Sequence, residues 1–283
     1  AVRPALALLS AEAAGAAPET GVPGAVAVEL VHNFSLLHDD VMDRDLTRRH
    51  RATAWRAFGV GPAILTGDSL LTLGLDVLAA TDHPDARHAL RMLAGTVQEL
   101  VAGQSADVAF ETRTDVDLAE CVAMAEAKTG CLLGAACALG ALYGGGTPTQ
   151  VRRLRRFGIQ IGLAFQHIDD LLGIWGEPER TGKPVYADLR RRKKSLPVVA
   201  ALTSDTPAAA ELAALYRGEA PLSDADLVRT AELVDAAGGR DWSQRQAERL
   251  WESAMRQLRS ADPSPRAAAE LGAVARLITD RDH

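Results

Sequence analysis

The stretch His32-Asn33-Phe34-Ser35-Leu36-Leu37-His38-Asp39-Asp40-Val41-Met42-Asp43 gathers carboxylates and imidazoles into a few turns of chain. A helix advances about 100° per residue, so Asp39 and Asp43 project from one face a turn apart. Ser35 then lies a turn below, and His32 almost two turns back. Leu36, Leu37 and Val41, with Val26, Val28, Leu30 and Val31 upstream, make the setting apolar. Ionised aspartates in such a setting repel each other unless a cation compensates, and a hard, oxygen-preferring divalent ion is the natural partner. Taken alone, an Asp-Asp-x-x-Asp turn reads equally well as a solvated acidic turn or a helix cap.

A second acidic pair changes that balance. It stands in Phe165-Gln166-His167-Ile168-Asp169-Asp170-Leu171-Leu172-Gly173. Arginines follow the first pair, in Arg48-Arg49-His50-Arg51, and Lys193-Lys194 follow the second. Two acidic turns with cations behind them can cage a diphosphate through bridging Mg²⁺ ions while the basic side chains bind its remaining oxygens. A di-iron bundle would need a pair of Glu-x-x-His motifs, which the chain lacks. Of 31 cationic residues only Lys128, Lys183, Lys193 and Lys194 are lysines, so these positions are candidates for a compact ammonium charge.

Long helices must carry these groups. The first acidic motif lies on a helix opened by a Gly21-Val22-Pro23-Gly24 turn and running to about residue 45, and the second on residues 149–175. Gly176-Glu177-Pro178 then breaks the pattern, and a loop through Thr181-Gly182-Lys183-Pro184 leads to Asp188 and Lys193. Residues 118–143 are the most apolar long segment, stopped by Gly144-Gly145-Gly146-Thr147-Pro148. Lys128-Thr129-Gly130 is its one polar interruption, and a lysine is costly to bury without an anion. Gly103 lies in a helical pattern with Gln104 and Asp107, where glycine costs about 1 kcal/mol and so marks close packing or ligand approach. Residues 3–16 form a first helix, 47–53 a basic loop, and 55–78 a helix interrupted near Gly59, Gly61 and Pro62. From residue 196 onward three to four amphipathic helices follow, with no chemistry of their own.

Composition agrees with this frame. Alanine and leucine dominate, aromatics are 4%, and no linker or repeat divides the 283 residues, which predicts a single all-α domain over residues 1–283. A net charge of -6 argues against a nucleic-acid partner. Focal basic clusters at residues 48–51, 152–156 and 190–194 suit a small polyanion instead. Cys121, Cys131 and Cys137 lie in apolar helical pattern and read as buried thiols of a reduced, cytoplasmic protein, with neither disulfide nor zinc site. No run of 18 uninterrupted apolar residues occurs and no charged leader precedes an apolar one, so neither membrane span nor signal peptide is expected.

In order and spacing, the chain resembles the trans-isoprenyl diphosphate synthase family over nearly its whole length. The residues carrying the resemblance are Arg3-Pro4, His32, Ser35-Leu36, Asp39 to Asp43, Arg48-Arg49, Gly103-Gln104 with Asp107, Lys128-Thr129, Phe165-Gln166, Asp169-Asp170, Thr181-Gly182-Lys183-Pro184, and Asp188 with Lys193. The resemblance implies an all-α bundle of long helices around a central cavity, the isoprenoid synthase type I fold. It implies that Asp39, Asp43 and Asp169 bind three Mg²⁺ ions with Asp40 and Asp170 in support. It also implies that Arg48, Lys128, Lys183 and Lys193 hold an allylic diphosphate, that Arg3, His32 and Arg49 hold isopentenyl diphosphate, and that Thr129 and Gln166 line the reaction centre. A homodimer is implied too, with the faces around residues 70–77 and 118–142 as candidates. Two departures stand out: Gly173 replaces the usual third aspartate of the second motif, and the chain opens inside the family's Gly-Gly-Lys-x-Arg-Pro region, so residues are expected before Ala1.

The chemistry implied is ionisation of the allylic C–O bond, attack by the double bond of isopentenyl diphosphate, and proton loss. A class I terpene cyclase on the same fold is the alternative, since Asp169, Gly173 and Glu177 fall at the spacing of its metal motif, though Arg3, His32 and Arg49 would then lack a second diphosphate. A noncatalytic subunit of a heteromeric synthase is the other alternative. Product length depends on what lies beneath Asp39. Ser35 is too small to block a chain, Phe34 stands beside it, and Val31, Val28 and Ala27 lie deeper. An aromatic followed by a small residue resembles geranylgeranyl synthases, which predicts a C20 product with Phe34 as floor and leaves C15 or C25 as alternatives.

Overall fold

The computed structural model describes residues 1–49, 51–178, 184–218 and 220–279. In chain order these form α1 (Val2–Ala13), α2 (Val22–Met42), a ribbon of β1 (Thr47–Arg48) and β2 (Arg51–Ala52), α3 (Ala54–Phe58), α4 (Val60–Ala79), α5 (Ala86–Phe110), α6 (Leu118–Ala125), a π-helical turn (Glu126–Gly130), α7 (Cys131–Tyr143) and α8 (Pro148–Trp175). Helices at Ala187–Arg190, Leu196–Leu202, Pro207–Arg217, Asp224–Ala236, Gly239–Ser260 and Pro265–Thr279 complete the described chain. The architecture is all-α as expected. Two compact units divide it: Ala1–Gln98 with Cys131–Ile159 and Ala254–Val274, and Glu99–Gly130 with Gln160–Ser253 and Ala275–His283.

In the first unit, α2 starts earlier than its glycines suggest. Pro23 occupies its first turn, where a missing N–H costs no helical hydrogen bond. Gly59, at φ 97°, separates α3 from α4, whereas Gly61 and Pro62 lie inside the first turn of α4. One face of α4 is small, with Ala63, Gly67 and Gly74 buried. A Cβ on Gly74 would stand 3.2 Å from the Ala27 carbonyl oxygen and 3.4 Å from a Val31 methyl, so α2 and α4 pack nearly backbone to backbone. The other face is open: Leu65 is 67% and Leu73 48% exposed, with Phe58 on α3 at 75%. By contrast α7 is buried at every position, which removes the 131–142 part of the expected dimer face.

The basic loop at residues 47–53 is an antiparallel ribbon, pairing Thr47 with Ala52 and Arg48 with Arg51. Strand propensity there is weak, and the pairing follows from the tight return of the chain to the end of α2. The Thr53 hydroxyl and the Trp55 indole N–H both donate to the Asp45 carbonyl oxygen, at 2.7 and 2.8 Å.

The second unit is built on two apolar clusters. Ile174, Leu189, Val198, Leu212 and Val234 form one, and Phe110, Cys121, Met124, Leu163 and Val199 another. Asp117 and Glu120 make a reciprocal cap at the start of α6. The segment expected as a single helix over residues 118–143 is broken by the π-helical turn at its polar interruption. From residue 196 onward five helices are described rather than three to four.

Cys121, Cys131 and Cys137 are buried free thiols, and burial pushes the Cys137 thiol up to about 12. Despite the absence of an uninterrupted apolar run, Val60–Ala79 and Leu118–Tyr143 are long and apolar enough to cross a membrane by length and composition, at mean hydropathy 1.3 and 1.4. The second reaches this value although Lys128 sits within it, because alanine, leucine and cysteine dominate its flanks.

Candidate active site

In the first unit α2 carries the first acidic motif. Asp39 lies in its last turn and Asp43 caps its C-terminus, the Asp43 N–H donating to the Asp39 carbonyl oxygen at 2.8 Å. The two carboxylates therefore stand one turn apart and half-buried. Asp40 points elsewhere. It is 4% exposed, and its Oδ1 accepts from Arg48 Nε at 2.7 Å across the start of the ribbon. Burial holds the Asp40 carboxyl above its ordinary range against the pull of that guanidinium.

Cations crowd the same unit. Burial lowers Arg3 to about 10 despite the field of Glu29, and Arg3 Nε is buried without a hydrogen-bond partner. His32 is pushed down to about 3, first by burial and then by Arg3, Arg49 and Arg48. Its imidazole is thus neutral at physiological pH, and the group around it has an excess of positive charge. A buried donor with no acceptor beside such a field fits an anion.

The second unit arranges its residues as a hydrogen-bonded relay. Lys128 lies in the π-helical turn, a distortion that often marks a functional position. Its ammonium pairs with the Asp107 carboxylate. A Cβ on Gly103, one turn before Asp107 on α5, would strike the backbone of Ala127 and Lys128, so this glycine lets the turn lie directly on α5. The Thr129 hydroxyl donates to Gln166 Oε1 at 2.7 Å, and Gln166 Nε2 donates to Asp170 Oδ1 at 2.8 Å. Asp170 Oδ2 accepts from the Leu196 N–H at 2.9 Å. Lys193 Nζ lies 3.5 Å from Asp170 and 3.8 Å from Asp188. Burial works against the Lys193 ammonium, but those carboxylates outweigh it and keep the group charged.

Asp169 is half-buried beside Asp170 on α8. Gly173 has a steric reason: any Cβ there would run into the Asp188 carboxylate. Asp188, 9% exposed, thus occupies the space that a side chain at 173 would fill. Its place, like that of Asp107 as the partner of Lys128, was not assigned from sequence; a glycine where an acid is usual was the available signal. Gln104 is buried with neither amide atom hydrogen-bonded within the protein. Lys183 lies outside the described residues.

Among the described residues no group of three or more His, Cys, Asp or Glu side chains is assembled for a metal ion. The donor chemistry nevertheless suits Mg²⁺: Asp39 and Asp43 in the first unit and Asp169 in the second offer the hard carboxylate oxygens that this ion prefers. Asp40 and Asp170 have their oxygens engaged by Arg48, Gln166 and the Leu196 N–H, which makes them anchors of neighbouring groups.

Beneath the first motif, Phe34 is 7% exposed and Val28 and Val31 are fully buried. The Ser35 hydroxyl donates to the His32 carbonyl oxygen at 2.9 Å.

The chain as a whole is similar to known proteins. Residues 1–234 match the family model described as Polyprenyl synthetase. The chain is 50% identical over 285 aligned residues to a (2E,6E)-farnesyl diphosphate synthase of Mycobacterium bovis, covering 99% of this chain and 79% of that one. It is 46% identical over 281 aligned residues to a geranylgeranyl diphosphate synthase of Mycobacterium tuberculosis, with the same coverage. The fold superposes on a polyprenyl synthetase from Streptomyces coelicolor A3(2) with a TM-score of 0.93 at 46% identity, covering 98% of this chain and 84% of that one. The expected isoprenoid synthase fold is thereby met, and the cyclase and noncatalytic alternatives give way to a trans-prenyltransferase. The chain belongs to the polyprenyl synthetase family and is a trans-prenyl diphosphate synthase.

Proposed function

We propose that the chain condenses isopentenyl diphosphate with allylic diphosphates to give geranylgeranyl diphosphate, C20. The observation that carries the two-diphosphate reading is the pair of cations Arg3 and Arg49 around neutral His32, with the buried Arg3 Nε lacking an acceptor in the protein. A cyclase has only one diphosphate to bind and no use for it.

In this reading Arg3, Arg49 and neutral His32 hold isopentenyl diphosphate, His32 as a hydrogen-bonding group that adds no charge. Arg48, Lys128, Lys183 and Lys193 hold the allylic diphosphate. Asp39, Asp43 and Asp169 would hold the Mg²⁺ ions, three as the resemblance implies, which when bound would supply Lewis-acid neutralisation of the diphosphate oxygens. Asp107 and Asp170 aim the ammonium groups of Lys128 and Lys193, so both stabilise the charge that develops on the leaving oxygen as the C–O bond ionises. Thr129 and Gln166, locked by their hydrogen bond, line the face of the allylic cation and keep bulk water from it. The double bond of isopentenyl diphosphate attacks, and the proton leaves to the released diphosphate.

The C20 assignment rests on Phe34 beside small Ser35; the 50% identical relative named as a farnesyl synthase supports C15 as the second reading. Chromatography of products from isopentenyl diphosphate and geranyl diphosphate separates them: a main product of C20 is expected, and a C15 end product would overturn this assignment. Hydrocarbon release from allylic substrate alone would overturn the condensation itself. We further propose a cytoplasmic homodimer through the open face of α3 and α4, where Phe58, Leu65 and Leu73 are exposed. Light scattering at micromolar concentration should give the mass of two chains, and the mass of one would refute it.

A further inference from the structure

His38 is the residue of the first motif to which the mechanism gives no task, and it is held from several sides. It lies four residues after Phe34 on α2, so both side chains share one side of the helix. The two rings meet edge to face, with centroids 4.8 Å apart and planes at 67°. His38 Nε2 lies 3.0 Å from the Ile64 carbonyl oxygen on α4. A carbonyl oxygen only accepts, so Nε2 carries the proton and the tautomer is fixed. Asp68 Oδ1 lies 3.7 Å from the same nitrogen, beyond hydrogen-bond range but favourable in sign.

The seat of the ring depends on one residue of α4. A Cβ on Gly67 would collide with the imidazole, so the ring keeps this place against α4 only because position 67 has no side chain. Phe34 is nearly closed off at 7% exposure, whereas the His38 side chain keeps 23%. A phenylalanine on a helix has two favoured χ1 wells, and a neighbour fixed at both its hydrogen bond and its ring face removes one of them.

Resting on the reading that the prenyl tail grows onto Phe34, we propose that His38, seated on Gly67 and tied to the Ile64 carbonyl, is a positioning residue that holds the Phe34 ring as the floor. Product length is then set by Phe34, His38 and Gly67 together. Nothing in this arrangement binds diphosphate, so its loss changes where elongation stops more than how fast it runs.

The test is the product distribution, read with saturating isopentenyl diphosphate alongside kcat and KM for the primer. Phe34→Ala should raise the proportion of the next longer product at least tenfold. His38→Ala and Gly67→Ala should raise it severalfold with kcat/KM for the primer within about threefold of the parent. Neither should add to the shift already caused by Phe34→Ala, because they act through that ring. His38→Gln, which keeps an N–H at the reach of Nε2 but lacks the ring, should recover part of the parent distribution; should His38→Ala fail to fold, this variant and Gly67→Ala decide. An unchanged distribution in Gly67→Ala and His38→Gln while Phe34→Ala lengthens the product would overturn the role of His38. So would shifts that add to that of Phe34→Ala. No lengthening in Phe34→Ala would instead overturn the floor on which the proposal rests.

Discussion

The two acidic motifs neutralise their second aspartate in different ways. Asp40 is answered locally, by Arg48 only eight residues further on. Asp170 is answered from afar by Lys193 and the Leu196 N–H on a later segment, and on its own helix by Gln166, which distant Thr129 fixes in turn. Arg48 keeps about a third of its side chain in solvent, so that pair resembles a half-buried surface bridge. The buried Asp170, serving several donors at once, is a junction, and removing it orphans groups on several elements. The first motif therefore carries a local brace, and the second is tied into the core of its unit.

The largest effect expected is on catalysis, with little on the fold. Asp39→Ala should lower turnover by several powers of ten while far-UV circular dichroism stays unchanged, because its proposed work is metal binding. Turnover preserved in this variant would refute the assignment of the first motif.

The contrast between braces predicts unequal stability costs. Asp170→Ala leaves the Leu196 N–H and the Gln166 amide without their acceptor and should cost about 3 kcal/mol. Asp40→Ala should cost about 1 kcal/mol, because Arg48 can turn to water. Urea unfolding midpoints would compare them, and equal losses would dissolve the distinction.

Next in size is the departure at position 173. Gly173→Asp should destabilise by about 2 kcal/mol through collision with the Asp188 carboxylate. Adding Asp188→Ala should return most of that loss in a thermal melt. A double variant no more stable than Gly173→Asp would show that the glycine answers to something else.

The most gradual effect, about 1 kcal/mol per pH unit, compares one histidine from each unit. His32 is pushed down to about 3 by burial and nearby arginines, and His167, buried and hydrogen-bonded to Ser243 at 2.7 Å, is pushed down to about 4 by burial. Both folded values lie below the ordinary 6.5, so the unfolded chain takes up more protons as the pH falls below 6.5. Stability is complete above that value and declines toward pH 4, by about 1 kcal/mol per histidine for each pH unit. His32→Gln and His167→Gln should each flatten the denaturation profile between pH 6.5 and 5, and a profile unchanged in both would refute their buried neutral state.

Much of the site was legible because its spacing is helical. The interval from Asp39 to Asp43, the scarcity of lysine, and the polar break at Lys128 in an apolar run are properties of a one-dimensional string. They were enough to place the metal and diphosphate candidates on α2, the π-helical turn and α8. Helix ends were legible wherever glycine or proline forced them, as at Gly59 and at residues 144–148.

What the string could not carry was pairing between segments distant in sequence. The ribbon at residues 47–52 exists because the chain must return to the end of α2, and the π-helical turn lies flush on α5 because Gly103 yields the room. The assignment of Asp40 and Asp170 as anchors and the seat of His38 over Gly67 likewise depend on atoms brought together only by folding. Residue type and period are intrinsic to the sequence, so they set the elements and the chemistry on offer. Which carboxylate is drawn into a brace like those of Asp40 and Asp170 depends on the desolvation and donors each one meets, and only the tertiary structure decides that.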